Sequence, residues 1–146
     1  MLARRWNWLA LPLLLNVYNL ATADPWLLMP TTAGASTPET RAGLIRFLEE
    51  RDLTHVYGDY WLVYPLAFES DERIVAAVMS NGFNRFLPYA HLVYVASRPA
   101  FVVVQGSAEA NAFHEKLQAV NGRATIEQVS IYEVAYDVQP LAQMRP

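Results

Sequence analysis

Three hydrophobic patterns follow one another along the chain. Residues 6–23 are almost wholly uncharged, with Asn7, Asn16 and Asn19 the most polar members, and Asp24-Pro25 interrupts them before Trp26-Leu27-Leu28-Met29. About twenty such residues cross a bilayer as a helix. Residues 31–36 are small and polar, the composition of a linker. From Thr37 the spacing becomes helical. Thr37 can cap, Pro38 suits the first helical position and Glu39 favours the positive end of the dipole. Leu44, Ile45 and Leu48 make the apolar stripe, and Arg41, Arg46, Glu49 and Glu50 are expected to face water.

Shorter segments then alternate. Residues 53–59 predict a buried strand centred on Val56 and Tyr57, with Gly58 near its end. A helix follows from about Tyr60, with Pro65 expected in or near its first turn, where a missing N–H is tolerated. Tyr60 and Tyr64 share one of its faces, Trp61 and Phe68 another. The apolar run 73–79 predicts a second strand, closed by the turn Ser80-Asn81-Gly82. Residues 83–89 read as a loop with three rings around Arg85, and 89–96 as a short helix stopped by Ser97-Arg98-Pro99. The β-branched run 100–105 predicts a core strand. Ser107 caps a helix with the stripe Phe113, Leu117 and Val120, ended by Asn121-Gly122. Residues 124–138 read as extended. There Tyr132, Val134, Tyr136 and Val138 alternate with Glu133, Ala135 and Asp137, as in an edge or antiparallel strand. The expected fold class is therefore α/β: a small layered domain over 37–146, with a mostly parallel sheet and an antiparallel edge strand, preceded by one N-terminal membrane helix.

The N-terminal segment, residues 1–30, admits two main readings. As an anchor it keeps Arg4 and Arg5 cytoplasmic and puts Trp6, Trp8 and Trp26 at the two interfaces. As a signal peptide it uses the same arginines as its charged start and Ala21-Thr22-Ala23 as a small-x-small cleavage site. The domain is extracytoplasmic either way, membrane-anchored through residues 6–29 or secreted after cleavage. A buried core helix is the third reading, and Pro12 and the asparagines fit it poorly.

Composition narrows the chemistry. A net charge of −3 supplies no electrostatic basis for nucleic-acid binding. The absence of cysteine excludes disulfides, zinc–thiolate sites and a thiol nucleophile. His55, His91 and His114 share no ligand-like spacing, so neither metal nor cofactor is expected. No glycine-rich phosphate loop and no nucleophile elbow occur. Gln105-Gly106-Ser107 offers backbone N–H groups at a helix start, where capping is the ordinary role. Asp59 and Glu72 form a candidate acid pair for glycoside hydrolysis, which needs two carboxyl groups at a defined separation.

The densest chemistry lies in residues 57–64, where Tyr57, Tyr60, Trp61 and Tyr64 surround Asp59. Ring faces suit sugar C–H groups, and Asp59 with Arg85 suits hydroxyls or phosphate. The candidate ligand-contact residues are Tyr57, Asp59, Tyr60, Trp61, Tyr64, Arg85 and Tyr89. No catalytic residue is assigned. The same rings also suit plain core packing, and Asp59 a helix cap.

The order Tyr57-Gly58-Asp59-Tyr60-Trp61-Leu62-Val63-Tyr64-Pro65-Leu66-Ala67-Phe68, then Glu72-Arg73-Ile74, then Asn84-Arg85-Phe86-Leu87-Pro88-Tyr89, resembles a known pattern. It is similar to the extracytoplasmic C-terminal domain of bacterial polytopic glycosyltransferases, the family-39-like GT-C-fold enzymes related to dolichyl-phosphate-mannose protein mannosyltransferases. Leu13-Leu14-Leu15-Asn16-Val17-Tyr18-Asn19-Leu20 resembles the last membrane helix before that domain. The resemblance covers about Leu9 to Val104 and implies a detached or truncated accessory domain. Those enzymes keep their catalytic carboxylate in an early extracytoplasmic loop, so this chain is expected not to transfer sugar alone. The implied partners are the bilayer, a saccharide or lipid-linked sugar, and a polytopic membrane protein. Two other classes stand beside it: a structural or interaction domain of a single-span membrane protein, and a small exported hydrolase.

Overall fold

The computed structural model describes residues 36–79 and 84–146. The expected membrane or signal segment 1–30, residues 31–35 of the linker and the turn Ser80-Asn81-Gly82 lie outside the described residues. Among the described residues no helix is long and apolar enough to cross a membrane.

The first helix, α1 (Pro38–Glu50), starts as the caps predict. Thr37 accepts a hydrogen bond from the Thr40 N–H through its hydroxyl, and the Thr40 hydroxyl accepts one in return from the Thr37 N–H at 3.0 Å. Leu44, Ile45 and Leu48 are buried. Arg41, expected to face water, instead reaches the next helix, where its Nε donates to Glu69 at 2.8 Å. The chain continues through β1 (His55–Gly58), α2 (Tyr60–Glu69), β2 (Val75–Val78), α3 (Leu87–Val95), β3 (Ala100–Val104), α4 (Ala108–Ala119), β4 (Arg123–Val129), β5 (Tyr132–Gln139) and the short α5 (Leu141–Met144). Pro65 lies inside α2 rather than in its first turn, so the Trp61 carbonyl has no N–H four residues on.

The sheet has the order β2-β1-β3-β5-β4. β1 pairs in parallel with β2 and with β3, while β5 runs antiparallel to both β3 and β4. The sheet is thus mixed, not mostly parallel. The extended run 124–138 is two strands of a hairpin that turns at Ser130, whose φ is 56°. The alternating strand Tyr132–Gln139 is interior, and β4 forms the edge. The turn carries no glycine or Asn-Gly pair, so the signal that marks most tight hairpins is missing. Because both faces of β5 are covered, even Ala135 on its shorter-chained side is buried.

Period-two alternation splits the core into two layers. Val56, Ala76, Val78, Val102 and Val134 pack with α1 and α2 on one face. Tyr57, Ala77, Phe101 and Ala135 pack with Val93 of α3, Phe113 and Leu117 of α4 and Met144 of α5 on the other. β1 has β2 on one side and β3 on the other, so the helices leaving β1 and β3 depart on opposite faces. Their carboxyl ends open the crevice where open α/β sheets place ligands.

Candidate functional site: an aromatic face and a groove beside the sheet edge

α2 buries Leu62, Val63, Leu66 and Ala67 against the sheet. The helical period turns Trp61 and Phe68 out to solvent, while Tyr60 and Tyr64 lie half-buried at the margin of the same core. Tyr60 meets Trp61 edge-on at 5.2 Å between ring centroids, and Tyr64 edge-on at 5.2 Å. The Arg85 guanidinium carbon lies 5.3 Å from the Tyr60 ring centroid, a cation–π arrangement. The Tyr64 hydroxyl accepts from the Arg85 N–H at 2.7 Å, and Asn84 Oδ1 accepts from the Val78 N–H at 2.9 Å. These two bonds strap the segment that starts at Asn84 to α2 and to β2. Phe86 and Tyr89 then meet edge-on at 4.6 Å.

Five of the seven candidate residues therefore share one side of the domain: Tyr60, Trp61, Tyr64, Arg85 and Tyr89. Trp61 is 52% exposed. The other two do not join them. Tyr57 points through the opposite face of the sheet, buried and stacked on Phe101 at 5.2 Å. Burial raises its phenol pKa, and the hydroxyl has no hydrogen-bond partner among the described residues. Asp59 accepts from the Trp61 N–H at 2.8 Å and caps α2. Its ordinary capping role accounts for one carboxylate oxygen.

Asp59 also lines the crevice at the carboxyl ends of the strands, a cavity of about 240 Å³ shared with Met79, Glu109, Phe113 and Lys116. Lys116 is committed there, donating to the carbonyls of Met144 at 3.2 Å and Arg145 at 3.1 Å. In the loop Gln105-Gly106-Ser107 the Ser107 hydroxyl accepts from Ala110 N–H at 3.1 Å, the expected cap. The larger cavity, about 780 Å³, is a groove along the outer edge of β2. Tyr64, Phe68, Phe86 and Tyr89 form its walls, Ala76 lies against the strand edge, and Asp71 and Glu72 stand at its end. Burial and the neighbouring Glu72 carboxylate both raise the Tyr89 phenol pKa. Phe68, Phe86, Asp71 and Glu72 were not candidate ligand contacts in the sequence. The helical offset from Trp61 to Phe68 was the available signal for one of them.

The acid pair required for hydrolysis does not assemble. Asp59 follows β1 at its carboxyl end, whereas Glu72 precedes β2 at its amino end, and the two strands are parallel. A four-residue strand alone puts about 13 Å between such ends, beyond the separation used by glycosidases. The histidines do not converge either: His55 Nδ1 lies 3.1 Å from the Thr54 hydroxyl, and His114 Nε2 lies 2.6 Å from Glu133. Among the described residues no group of acids and histidines is arranged to hold a metal ion. No family model matches the chain, and neither does any curated protein or solved structure.

Proposed function

We propose that the chain is a non-catalytic contact module whose working surface is the face built from Tyr60, Trp61, Tyr64 and Arg85. The ligand it suits best is a saccharide or a lipid-linked sugar. The observation that carries this reading is the half-exposed Trp61 ring beside a tyrosine that itself supports an arginine. Ring faces receive sugar C–H groups, and the guanidinium receives hydroxyl or phosphate oxygens. The likeness of residues 57–75 and 84–89 to the C-terminal domains of GT-C-type glycosyltransferases supports the same role, that of an accessory domain. In that role residues 6–29 anchor the module in a bilayer, with the domain extracytoplasmic.

A second reading has its own support. Leu87, Leu92, Tyr94 and Val95 of α3 are exposed, Leu87 at 73%. An apolar helix surface of this kind suits packing on a polytopic membrane partner.

The test is a saccharide titration of the full chain with Trp6, Trp8 and Trp26 changed to Phe, leaving Trp61 as the sole tryptophan reporter. A saturable emission change that Arg85→Ala abolishes is expected. A flat response to free and lipid-linked saccharides would sink the sugar reading.

A further inference from the structure

The two edges of the sheet are finished differently. β4 presents Arg123, Thr125, Glu127 and Gln128, the polar edge that discourages another strand from pairing. β2 is Val75-Ala76-Ala77-Val78 and carries no polar side chain. Its register explains what faces outward. The Val75 N–H bonds the Thr54 carbonyl and the Met79 N–H bonds the Gly58 carbonyl, so odd-numbered residues pair with β1. Alternation turns the N–H and C=O of Ala76 and Val78 away from the sheet. Asn84 satisfies the Val78 N–H. Ala76, only 5% exposed and packed in the core on the α2 side, forms the floor of the groove between α2 and the Phe86–Tyr89 pair.

The charge at the groove end is one-sided. Nearby carboxylates are matched by arginines: Glu69 by Arg41, and Glu49 by Arg73 at 2.7 Å. Asp71 and Glu72 are exposed, and among the described residues no lysine or arginine forms an ion pair with them. Ser70 holds the turn that presents them, its buried hydroxyl donating to the Ala67 carbonyl and accepting from the Ile74 N–H.

We propose that this groove binds an extended peptide segment of a partner protein. The peptide adds a strand at Ala76, lodges an apolar side chain among Tyr64, Phe68, Phe86 and Tyr89, and extends a lysine or arginine to Asp71 and Glu72. Strand addition supplies main-chain hydrogen bonds for affinity, and pockets for alternate side chains supply specificity. The groove volume of about 780 Å³ lies in the range of ligand sites. This occupant is distinct from a saccharide on Trp61: the two sites share Tyr64, but Trp61 emission reports the first and the Ala76 and Phe86 amides report the second.

The experiment titrates the isotope-labelled full chain in detergent with the synthetic peptide acetyl-Val-Arg-Val-Arg-Val-amide and follows backbone amide shifts. Saturable shifts at Ala76 and Phe86 are expected. N-methylation of alternate peptide nitrogens should weaken binding about tenfold or more, because it removes the strand-pairing donors. The double variant Asp71→Asn, Glu72→Gln should weaken it about fivefold while leaving the free-state spectrum folded. The proposal is overturned if millimolar peptide leaves Ala76 unmoved, or if the N-methylated peptide or a Val-Glu-Val-Glu-Val analogue binds equally well. It is also overturned, in favour of a lipid surface, if anionic vesicles shift the same amides and displace the peptide. An unchanged Trp61 emission during peptide binding leaves the sugar reading untouched.

Discussion

The β4 edge and the β2 edge belong to one sheet but face different demands. At the β4 side a polar belt ties hairpin to helix. Arg51 donates to both oxygens of Glu127, at 3.0 and 2.8 Å, and the Tyr136 hydroxyl donates to the same carboxylate. Arg98 donates to Asp137 at 2.6 Å and to the Arg51 carbonyl at 3.1 Å, and Gln128 of β4 donates to Gln105, just after β3. The Arg51 guanidinium also lies 3.8 Å from the Phe47 ring centroid. At the β2 side Phe68 and Phe86 stay exposed, Tyr64 and Tyr89 are half-buried, and among the described residues Asp71 and Glu72 form no ion pair. A sheet edge closed by charges resists new strands, and one lined by rings and small residues accepts contact. The difference is the reason the proposed contact surfaces are put on the β2 side.

The strongest challenge to that contrast removes what both edges share. Phe101 of β3 is buried and packs on Tyr57 at 5.2 Å and on Phe113 at 5.4 Å. Phe101→Ala should cost about 3–5 kcal/mol in urea unfolding, in a single transition. Two separated transitions would mean that the edges belong to independent units, and the comparison would fail.

A matched pair of lysines comes next. Ala76→Lys forces a long chain into the packed base of the groove and should cost about 1–3 kcal/mol. Thr125→Lys on the exposed β4 edge should stay within about 0.5 kcal/mol of the unchanged protein. Equal effects in thermal melts would show the two edges to be equivalent.

Acid should act mainly on the β4 side. The Tyr136 hydroxyl, and then Arg51, hold the Glu127 carboxyl below the ordinary carboxylate range, and Arg98 does the same for Asp137. A folded-state pKa below the unfolded value gives stability that is present above the unfolded pKa and lost as pH falls through the folded one. The urea midpoint should therefore hold down to about pH 5 and drop as the pH falls through about 4 and below. Glu127→Gln should flatten that drop, and Glu72→Gln should leave it in place. The opposite ranking would put the acid-sensitive contacts on the wrong edge.

The smallest stability effect belongs to Trp61→Ala. The ring is half exposed, so the expected change is within about 0.5 kcal/mol, while any saccharide response disappears. A large loss of stability would make Trp61 a packing residue and remove the basis for the contact face.

Local rules were legible in the sequence. Thr37 and Ser107 cap the helices they were expected to cap, because a cap needs only a short polar side chain and the N–H groups two or three residues on. Leu44, Ile45 and Leu48, and then Phe113 and Leu117, are buried as their spacing predicted. The hairpin was not legible: Ser130 adopts a positive φ without the glycine that usually announces it. Arg41 was misread because its partner Glu69 comes from another helix. Half-legible was the contact face. Tyr60 and Tyr64 fall together by helical period, with Trp61 and Phe68 on another face, but the bonds that bring Arg85 alongside, and the groove behind it, join elements far apart in the chain.

Tyr57 and Tyr60 mark the boundary between the two kinds of information. Both are tyrosines in one short aromatic run, and composition treats them alike. The sequence by itself determined that a strand ends and a helix begins between them, since Gly58 and Asp59 are local signals. Only the tertiary structure decided that Tyr57 stacks on Phe101 inside one core layer while Tyr60, half-buried at the margin of the other, lies beside Arg85. Burial depends on which strands become neighbours, and that choice is made by contacts summed over the whole sheet.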